Sequence, residues 1–376
     1  MSGARIFRSF ADMPEVDLKL ISLAEYERAA ASMLDPASHS YLAGGATDET
    51  TMRDNVDAWS RLAIRPRMLV GVGTPDLTVE LLGRRRPHPV LIAPMAFHRL
   101  AHPDGEIATA RAAQATGTIM CLSTLATTSP AVLAEAVPDV ARWFQLYVFK
   151  DRGVSRELVA QATARGFEAL VVTVDLPAFG IREREMRSGV RAPAIEQVQA
   201  AAAAGARGQM TPGALAALVD PTLTWRDIEQ FAAECRLPVI VKGILTAEDA
   251  HIAAENGAAG VVVSNHGGRQ LDTVLSGADA LVEVVDAIGD RLDVLVDGGI
   301  RRGTDVLKAL ALGARAVLVG RPVLSGLVVD GAAGAERVLE ILIGEFRNAL
   351  ELAGAPETAR LDRTFVQRAL WAPTTG

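Results

Sequence analysis

Eight short aliphatic segments recur along this chain of 376 residues, each bounded by Gly, Pro or a polar turn. Each has the length of a buried β-strand, and amphipathic stretches that begin with Asp or Thr and end with Gly lie between them. The segments are VLIAPMA (90–96), IMCLST (119–124), RWFQLYV (142–148), ALVVTVD (169–175), PVIVKGI (238–244), GVVVSNH (260–266), DVLVDGG (293–299) and AVLVGRP (316–322). Regular alternation of strand and helix predicts parallel strands joined by helical crossovers.

Eight strand–helix units predict an α/β protein of the (β/α)8 (TIM) barrel class. A doubly wound open sheet would alternate in the same way, but no GxGxxG turn follows the first strand. The strand starts lie 22 to 33 residues apart, except for one interval of 69 residues between the fourth and the fifth. We therefore expect a long mobile loop after strand 4, about residues 176–237. Residues 1–89 are expected to form a helical segment that packs on the barrel, and residues 90–376 the barrel itself.

The composition excludes several classes of protein. With 49% hydrophobic and 22% charged residues, the chain is neither disordered nor fibrous, and two distant cysteines exclude a disulfide scaffold. A net charge of −7 argues against nucleic-acid and anionic-membrane partners. The sequence shows no apolar signal core and no membrane span, so we expect a cytoplasmic protein without a membrane partner. His98 and His102 lack a third ligand, and Pro103 disrupts a shared helix, so we assign no metal.

Polar residues stand at the carboxyl end of seven of the eight strands, which is where barrel enzymes hold their active sites. One buried polar residue is usually a hydrogen-bonded core group, because an unpaired buried charge costs several kcal/mol. Seven at the same end predict a functional site. They include Ser123, Gln145, Tyr147, Thr173, Asp175, Lys242, Ser264, His266, Asp297, Gly320 and Arg321.

The segments DGGIRRGTD (297–305) and GRP (320–322) predict a phosphate site after strands 7 and 8. Backbone amides of Gly298, Gly299 and Gly320, with Arg301 and Arg321, supply the donors. The alternative is that these segments are two tight turns with solvated arginines. Their position after strands 7 and 8 of a barrel makes that alternative weaker. The pattern indicates a phosphorylated ligand without identifying it.

Lys242 in PVIVKG needs an anionic neighbour. It could be a Schiff-base lysine, as in barrel aldolases, or a cation beside the N1–C2=O edge of a reduced flavin. The Gln, Thr and Ser residues on neighbouring strands suit the donor and acceptor edge of a flavin ring. An aldolase would not need them. His266 with Asp175 supplies acid–base chemistry, and Arg182 with Arg269 could clamp a carboxylate.

The segment SNHGGRQLD (264–272) resembles the active-site motif of the FMN-dependent α-hydroxy-acid oxidase/dehydrogenase family, which includes glycolate, lactate and mandelate enzymes. The resemblance covers about residues 20–355, as a single domain. Further matching segments are AGGATDE (43–49), RPRML (65–69), LIAPMAF (91–97), AHPDGE (101–106), FQLYV (144–148), TVD (173–175), VKG (241–243) and DGGIRRGTDVLKALALGA (297–314).

The resemblance implies a role for each matching residue. His266 would be the general base and Asp175 its partner; Tyr147 would contact the substrate hydroxyl, and Lys242 the flavin N1/O2 edge. The substrate carboxylate would be bound by Tyr41, Arg182 and Arg269. The remaining FMN contacts would come from Pro94, Met95, Ala96, Ser123, Gln145, Thr173, Ser264, Asp297, Gly298, Gly299, Arg301, Gly320 and Arg321. The family also implies a homotetramer or homo-octamer.

Three departures from the family pattern concern the substrate. Leu125 stands where glycolate-type members have Trp, which indicates a wider pocket and an aromatic acid such as mandelate or 4-hydroxymandelate. Ile181 replaces an arginine common beside Arg182. The loop 176–237 diverges most, and its Phe179 could line an apolar subsite with Leu125 or serve only in ordinary packing. Lactate, glycolate and medium-chain acids stay open as substrates. The acceptor is expected to be O2, with a quinone or another carrier as the alternative, and the sequence does not distinguish hydride from carbanion transfer.

Two other functions compete with this interpretation. A phosphate-binding isomerase or aldolase that uses Lys242 would be colourless, whereas a flavoprotein would be yellow. A regulatory flavin-binding barrel would be yellow but would not bleach anaerobically with 2-hydroxy acids. Because the acid–base residues are all in place, oxidation of an L-2-hydroxy acid to the 2-oxo acid is the favoured function.

Overall fold

Eight parallel strands close into a barrel in the computed structural model, which describes residues 20–193, 195 and 211–371. Each strand pairs with the next along the chain, and the eighth pairs with the first through Val317 with Val90 and Leu318 with Leu91. The predicted (β/α)8 barrel is therefore confirmed. The barrel strands, numbered 1 to 8 in chain order, are Val90–Ile92, Ile119–Ser123, Arg142–Leu146, Leu170–Thr173, Val239–Ile244, Gly260–Val263, Asp293–Asp297 and Ala316–Val319.

Side chains of alternating residues fill the inside of the barrel, because successive residues of a strand point to opposite faces. Leu91, Trp143, Val171 and Ile240 belong to one buried cluster, together with Leu81 from a hairpin. Strand residues of the other parity pack outward against the helices. Lys242 has the same parity as Ile240 and so points inward near the carboxyl end of strand 5.

Helices follow the strands in the order that a (β/α)8 barrel requires. A long final helix is interrupted at Asp330 and Gly331, whose backbone is not helical. The helices after strands 1 to 4 are Gly105–Thr116, Pro130–Ala136, Arg152–Ala164 and, within the long loop, Glu183–Ser188, Pro212–Ala216 and Trp225–Glu234. Those after strands 5 to 8 are Ala247–Glu255, Gly277–Ile288, Gly303–Ala311 and Arg321–Ala353.

The segment before the barrel is only partly helical, which differs from the prediction. Its helices are Leu23–Met33, Pro36–Ala43 and Thr50–Ser60, but the following residues form strand Leu62–Ile64 and a hairpin of Val79–Leu81 with Arg84–Arg86. Strand Leu62–Ile64 pairs with Val366–Arg368 near the end of the chain. These strands have three residues each, too short for a recognisable alternation of apolar and polar residues.

The hairpin lies at the amino-terminal end of the barrel. Leu81 is completely buried in the interior cluster, and the amide of Leu82 donates to Asp293 Oδ2 at the start of strand 7, at 2.7 Å. Arg86 pairs with Glu168 and is only 14% exposed. The run Arg84–Arg86 is therefore a hairpin strand, in which Arg84 and Arg85 are exposed to solvent and Arg86 is not.

The long loop after strand 4 begins at the site end of the barrel. Its first helix, Glu183–Ser188, packs against helix Pro36–Ala43 of the N-terminal segment. Residues 194 and 196–210 lie outside the described residues, and they include the Ala-rich segment VQAAAAAGARGQM (198–210). The mobility of this loop stays a prediction. Within the described part of the chain, no helix is both long and apolar enough to cross a membrane.

Candidate active site

A cavity lies at the carboxyl ends of the barrel strands and is lined by nearly all of the predicted site residues. The exceptions are Gln145, Asp175 and Ser264, which hydrogen-bond to residues of its wall. The predicted lining residues are Tyr41, Pro94, Met95, Ala96, Ser123, Leu125, Tyr147, Thr173, Arg182, Lys242, His266, Arg269, Asp297, Gly298, Gly299, Arg301, Gly320 and Arg321. The structure thus brings together residues from all eight strand ends and from helix Pro36–Ala43.

His266 is held between a carboxylate and a phenol. Its Nδ1 lies 2.8 Å from Asp175 Oδ1, and its Nε2 lies 3.2 Å from the hydroxyl of Tyr147. The backbone of His266 has a φ of 60°, in the left-handed region that a non-glycine residue seldom adopts. The amide of His266 donates to Ser264 Oγ at 3.1 Å, which fixes this turn. The side chain therefore has one orientation, with Nε2 toward the cavity.

The protonation states of this group follow from burial and charge. Burial lowers the pKa of His266, although the neighbouring Asp175 partly offsets that effect. Burial opposes ionisation of Asp175, but the attraction and hydrogen bond of His266 outweigh it and hold the pKa of Asp175 below its ordinary value. Burial raises the pKa of Tyr147. A neutral imidazole beside an ionised carboxylate can accept a proton at Nε2.

Arg182 and Arg269 share one carboxylate, that of Glu185. Glu185 Oε2 is 3.4 Å from Arg182 Nη1 and 3.8 Å from Arg269 Nη2. The Arg182 guanidinium lies 4.1 Å over the Phe179 ring, and that of Arg269 lies 4.9 Å over the Tyr41 ring. Burial and the charge of Arg269 lower the pKa of Arg182 to about 10, so it stays protonated at neutral pH. Two buried guanidinium groups with one carboxylate leave a net positive charge for an anion.

Ile181, beside this pair, points away from the cavity. Its side chain is 60% exposed, and its carbonyl oxygen accepts a hydrogen bond from the amide of Thr47. This position therefore contributes backbone to the contact between the strand 4 loop and the N-terminal segment. It contributes no side chain to the anion site.

Lys242 is buried and bound on two sides. Its Nζ donates to Ser264 Oγ at 2.7 Å and lies 3.1 Å from Asp297 Oδ2. Burial works against the charge, but Asp297 and Asp175 outweigh it and raise the pKa of Lys242. A Schiff-base lysine needs a lowered pKa to be nucleophilic, so a raised pKa argues against the aldolase alternative.

Several buried polar atoms in this region have no hydrogen-bond partner among the described residues. They are Gln145 Nε2, Thr173 Oγ1, Asp175 Oδ2, Asp297 Oδ1 and Arg321 Nε. Buried polar atoms in folded proteins are nearly always hydrogen-bonded, so this group indicates a missing polar ligand. The set includes donors and acceptors, as the edge of an isoalloxazine ring requires. The residues present therefore fit a flavin.

The predicted phosphate end is a cluster of arginines. Arg321 donates to the carbonyl oxygens of Gly267 and Gly44, both at 2.9 Å. Burial and the charges of Arg269 and Arg301 lower the pKa of Arg321 to about 9. Positive charges packed this closely favour the binding of an anion between them.

Gly298 and Gly299 have a second role that the sequence does not show. Both have positive φ, and a Cβ atom on Gly299 would lie 1.8 Å from the backbone oxygen of Asn55. The indole nitrogen of Trp59 donates to the Gly298 carbonyl at 2.9 Å. The glycine pair therefore also admits helix Thr50–Ser60 against the strand 7 loop.

Sequence reasoning missed the residues that join the N-terminal segment to the loop carrying His266. Asn55 and Asn265 exchange amide hydrogen bonds of 2.9 and 2.8 Å. Asp272 accepts from the amides of Thr50 and Thr51 and from the Thr47 hydroxyl, and so caps helix Thr50–Ser60 from another part of the chain. Glu185 was also missed; its only signal is an acidic residue three positions after Arg182 on a helix.

Comparison with known proteins gives concordant results. The profile of the FMN-dependent dehydrogenase family matches residues 30–368. An L-lactate oxidase of Nostoc sp. (strain PCC 7120) is 45% identical over 92% of this chain and 98% of its own length. Human 2-hydroxyacid oxidase 1 is 43% identical over 93% of this chain and 97% of its own. A crystal structure of mandelate oxidase with (S)-4-hydroxymandelic acid, 42% identical, superposes with a TM-score of 0.87 and covers 93% of this chain and 98% of its own.

The family profile spans most of the chain, and full-length relatives are well above the identity at which fold and family are shared. The match includes every strand of the barrel and the loop that carries His266. The chain therefore belongs to the FMN-dependent dehydrogenase family.

Proposed function

We propose that this protein oxidises an aromatic L-2-hydroxy acid to the corresponding 2-oxo acid, with dioxygen as the final electron acceptor. The observation that supports this most is the position of Nε2 of His266. It faces the same cavity as the arginine pair and Lys242, and Asp175 holds the imidazole from behind. A base, a carboxylate site and a cation for a reduced flavin are thus arranged around one substrate volume.

The arginine pair and Tyr41 bind the carboxylate of the substrate. Arg182 and Arg269 carry the charge, and the ring of Tyr41 packs under Arg269. Arg269 Nη1 is held by the carbonyl oxygens of Tyr41 and Gly44, at 2.7 and 2.9 Å, which fixes the direction of its remaining N–H groups. Binding the carboxylate at this point places the adjacent hydroxyl-bearing carbon between His266 and the flavin side of the cavity.

His266 takes the proton that leaves the substrate. Its Nε2 is unprotonated when Nδ1 donates to Asp175, and the imidazolium that forms lies 2.8 Å from that carboxylate. The Tyr147 hydroxyl, 3.2 Å from Nε2, orients the substrate hydroxyl toward the base. Because burial otherwise disfavours a charged imidazole, the Asp175 carboxylate is needed when the proton arrives.

FMN is held, in this proposal, by two sets of residues. Pro94, Met95 and Ala96 would contact the ring, and Ser123, Gln145, Thr173, Lys242 and Ser264 its polar edge. Asp297 would accept from a hydroxyl of the ribityl chain, and Gly298, Gly299, Arg301, Gly320 and Arg321 would hold the phosphate. When bound, FMN supplies a two-electron acceptor. Lys242 would stabilise negative charge at the N1/O2 edge of a bound flavin, since its pKa is raised and Asp297, 3.1 Å away, fixes its position.

The preference for an aromatic acid rests on the apolar wall of the cavity. Leu125, Leu176, Phe179, Pro212 and Ala216 are among the residues that line it. A solved relative of similar fold contains (S)-4-hydroxymandelic acid, which shows that such an acid binds within this fold. Leucine at position 125 leaves space that a tryptophan would fill. An aromatic ring would bury apolar surface there at roughly 25 cal/mol per Å2.

Dioxygen is proposed as the acceptor because the relatives named above are oxidases. An assembly of four or eight copies follows from the family resemblance, and light scattering of the purified protein tests it. A dehydrogenase would instead transfer electrons to a quinone or another carrier. Hydrogen peroxide formation, equal in amount to the 2-oxo acid produced, distinguishes the two acceptors.

The variant His266→Ala tests the assignment of the base. Turnover should fall by about 100-fold to 10,000-fold, the usual contribution of a positioned base, while FMN stays bound. Retained flavin is measured by its visible absorbance, which separates loss of the base from loss of the cofactor. Near-normal turnover in a variant that retains flavin would refute the assignment.

A further inference from the structure

A second cavity lies behind the arginine cluster, on the side away from the proposed flavin ring. It is bounded by the three helices of the N-terminal segment and the start of the final helix. Five residues line both cavities and so form the wall between them: Leu42, Gly299, Arg301, Arg321 and Leu324. The guanidinium groups that face the phosphate are therefore accessible from two sides.

Glu27 contacts this wall from the second cavity only. Its Oε1 lies 2.8 Å from Arg301 Nε, and its side chain is 30% exposed. Arg301 Nη1 donates to the carbonyl oxygen of Ile300 at 3.0 Å. A guanidinium has five N–H groups, so donors on its terminal nitrogens remain for a ligand on the opposite side. The geometry is that of an anchored arginine rather than of one whose anion site is already filled.

Electrostatic repulsion explains why Arg301 needs an anchor. The charge of Arg301 lowers the pKa of Arg321, whereas that of Glu27 raises it, and Arg321 is fixed by two carbonyl oxygens. The Arg301 side chain is only 20% exposed, so solvent screens its repulsion from Arg321 incompletely. The carboxylate of Glu27 offsets this repulsion. It comes from helix Leu23–Met33, which packs against the final helix along most of its length.

We propose that Glu27 is a positioning residue for the cofactor phosphate: it anchors Arg301 through Nε and makes the first helix part of the FMN site. This inference rests on the proposed assignment of Arg301 and Arg321 to the phosphate. It assigns a function to a residue that touches neither substrate nor flavin. It also predicts that the docking of the N-terminal segment and the affinity for phosphate are coupled.

Two substitutions of Glu27 test the proposal on the full-length chain. The flavin-free protein is titrated with FMN and with riboflavin, which lacks the phosphate, by quenching of flavin fluorescence. Glu27→Ala should raise the Kd for FMN by about fivefold to tenfold, the effect of one partly exposed charged hydrogen bond, and leave riboflavin within about twofold. Glu27→Gln keeps an acceptor for Nε but removes the charge, so its Kd for FMN should lie between that of the unchanged protein and that of Glu27→Ala.

Two controls separate this role from its alternatives. Glu345→Ala removes a similar ion pair, 2.6 Å from the neighbouring Arg302, but lines neither cavity and should leave both affinities unchanged. Arg301→Met should weaken FMN more than riboflavin. If it weakens both equally, the phosphate assignment is wrong, and the role of Glu27 is overturned with it.

The order of affinities decides the role of Glu27 itself. Unchanged FMN affinity in Glu27→Ala, with Arg301→Met selective for FMN, would show that the ion pair is incidental. Tighter binding of FMN by Glu27→Ala than by Glu27→Gln would show that Glu27 competes with the phosphate. Thermal unfolding of each flavin-free variant identifies any that is misfolded. If Glu27→Ala is misfolded, the affinities of Glu27→Gln for FMN and for riboflavin still test the proposal.

Discussion

Replacing Asp175 with Asn removes one charge beside His266 and almost no volume. Asp175 Oδ1 lies 2.8 Å from Nδ1 of the imidazole, and both side chains are largely buried. In the substrate-free protein the imidazole is neutral, because burial lowers the pKa of His266. The carboxylate therefore contributes little until the proton from the substrate reaches Nε2. Its loss should affect the transition state far more than the bound substrate.

The size of the effect follows from the cost of leaving a buried charge without its partner. Such losses amount to about 2–5 kcal/mol, which corresponds to roughly 30-fold to 5,000-fold in rate. We expect kcat and kcat/KM to fall together, since the arginine pair that binds the carboxylate is not changed. An amide at position 175 can also direct its NH2 group at Nδ1. That orientation would favour the wrong tautomer and place the effect near the upper limit.

The assay is the rate of anaerobic flavin reduction after rapid mixing with (S)-mandelate, which reports proton and electron transfer without reoxidation. Asp286→Asn, on the solvent-exposed side of helix Gly277–Ile288 where Asp286 pairs with Arg363, is the matched control and should leave the rate unchanged. A reduction rate within about threefold of the unchanged protein would refute the account of Asp175, because 0.7 kcal/mol is less than any buried charge pair should contribute.

Three further predictions concern specificity, pH and stability. Leu125→Trp should lower kcat/KM for (S)-mandelate by about tenfold or more relative to glycolate, because the indole would fill the space proposed for the aromatic ring. Steady-state oxygen consumption measures kcat/KM for both acids, and an equal change for the two would contradict the prediction. In a pH profile, the acidic limb of kcat/KM should have its midpoint below the ordinary pKa of histidine, since burial lowers the pKa of His266 and the base is inactive only when protonated. A midpoint at or above the ordinary histidine pKa would contradict this prediction. Hydrogen bonds from Thr47, Thr50 and Thr51 outweigh burial and lower the pKa of Asp272 to about 2. The ionised carboxylate therefore contributes about 2 kcal/mol to the free energy of unfolding above about pH 4, and this contribution is lost as the pH falls toward 2. Asp272→Asn should remove that amount in denaturant unfolding at pH 7 and flatten the pH dependence, whereas an unchanged unfolding midpoint would show that the cap is not needed.

The barrel and most of its site could be predicted because their signals are local. Each strand is an apolar run, and the closure of a parallel barrel brings all carboxyl ends together without any knowledge of side-chain packing. Asp175 and His266 are 91 positions apart, yet both follow a strand and therefore meet. Lys242 and Asp297 also lie at the carboxyl ends of strands, and the structure brings them to 3.1 Å, a pairing that the sequence analysis did not predict.

The contacts of the N-terminal segment could not be predicted in this way. Asn55 meets Asn265, and Asp272 caps a helix more than 200 residues away, through packing that no periodicity records. Gly299 illustrates the same limit. Its place in a glycine pair suggested a phosphate loop, whereas the approach of the Asn55 backbone independently requires the absence of a Cβ atom. Residues 62–86 were expected to be helical, but their three-residue strands are too short to show a period.

Anaerobic addition of (S)-mandelate to the purified protein tests the central claim most directly. The account predicts a yellow protein whose visible flavin absorbance is lost on addition of the acid and returns when air is admitted, with one 2-oxo acid formed for each flavin reduced. L-lactate and glycolate, added in parallel, should bleach it more slowly. A colourless preparation that takes up no FMN, or a yellow one that no 2-hydroxy acid bleaches, would contradict the account; fastest bleaching by glycolate would contradict the proposed aromatic preference.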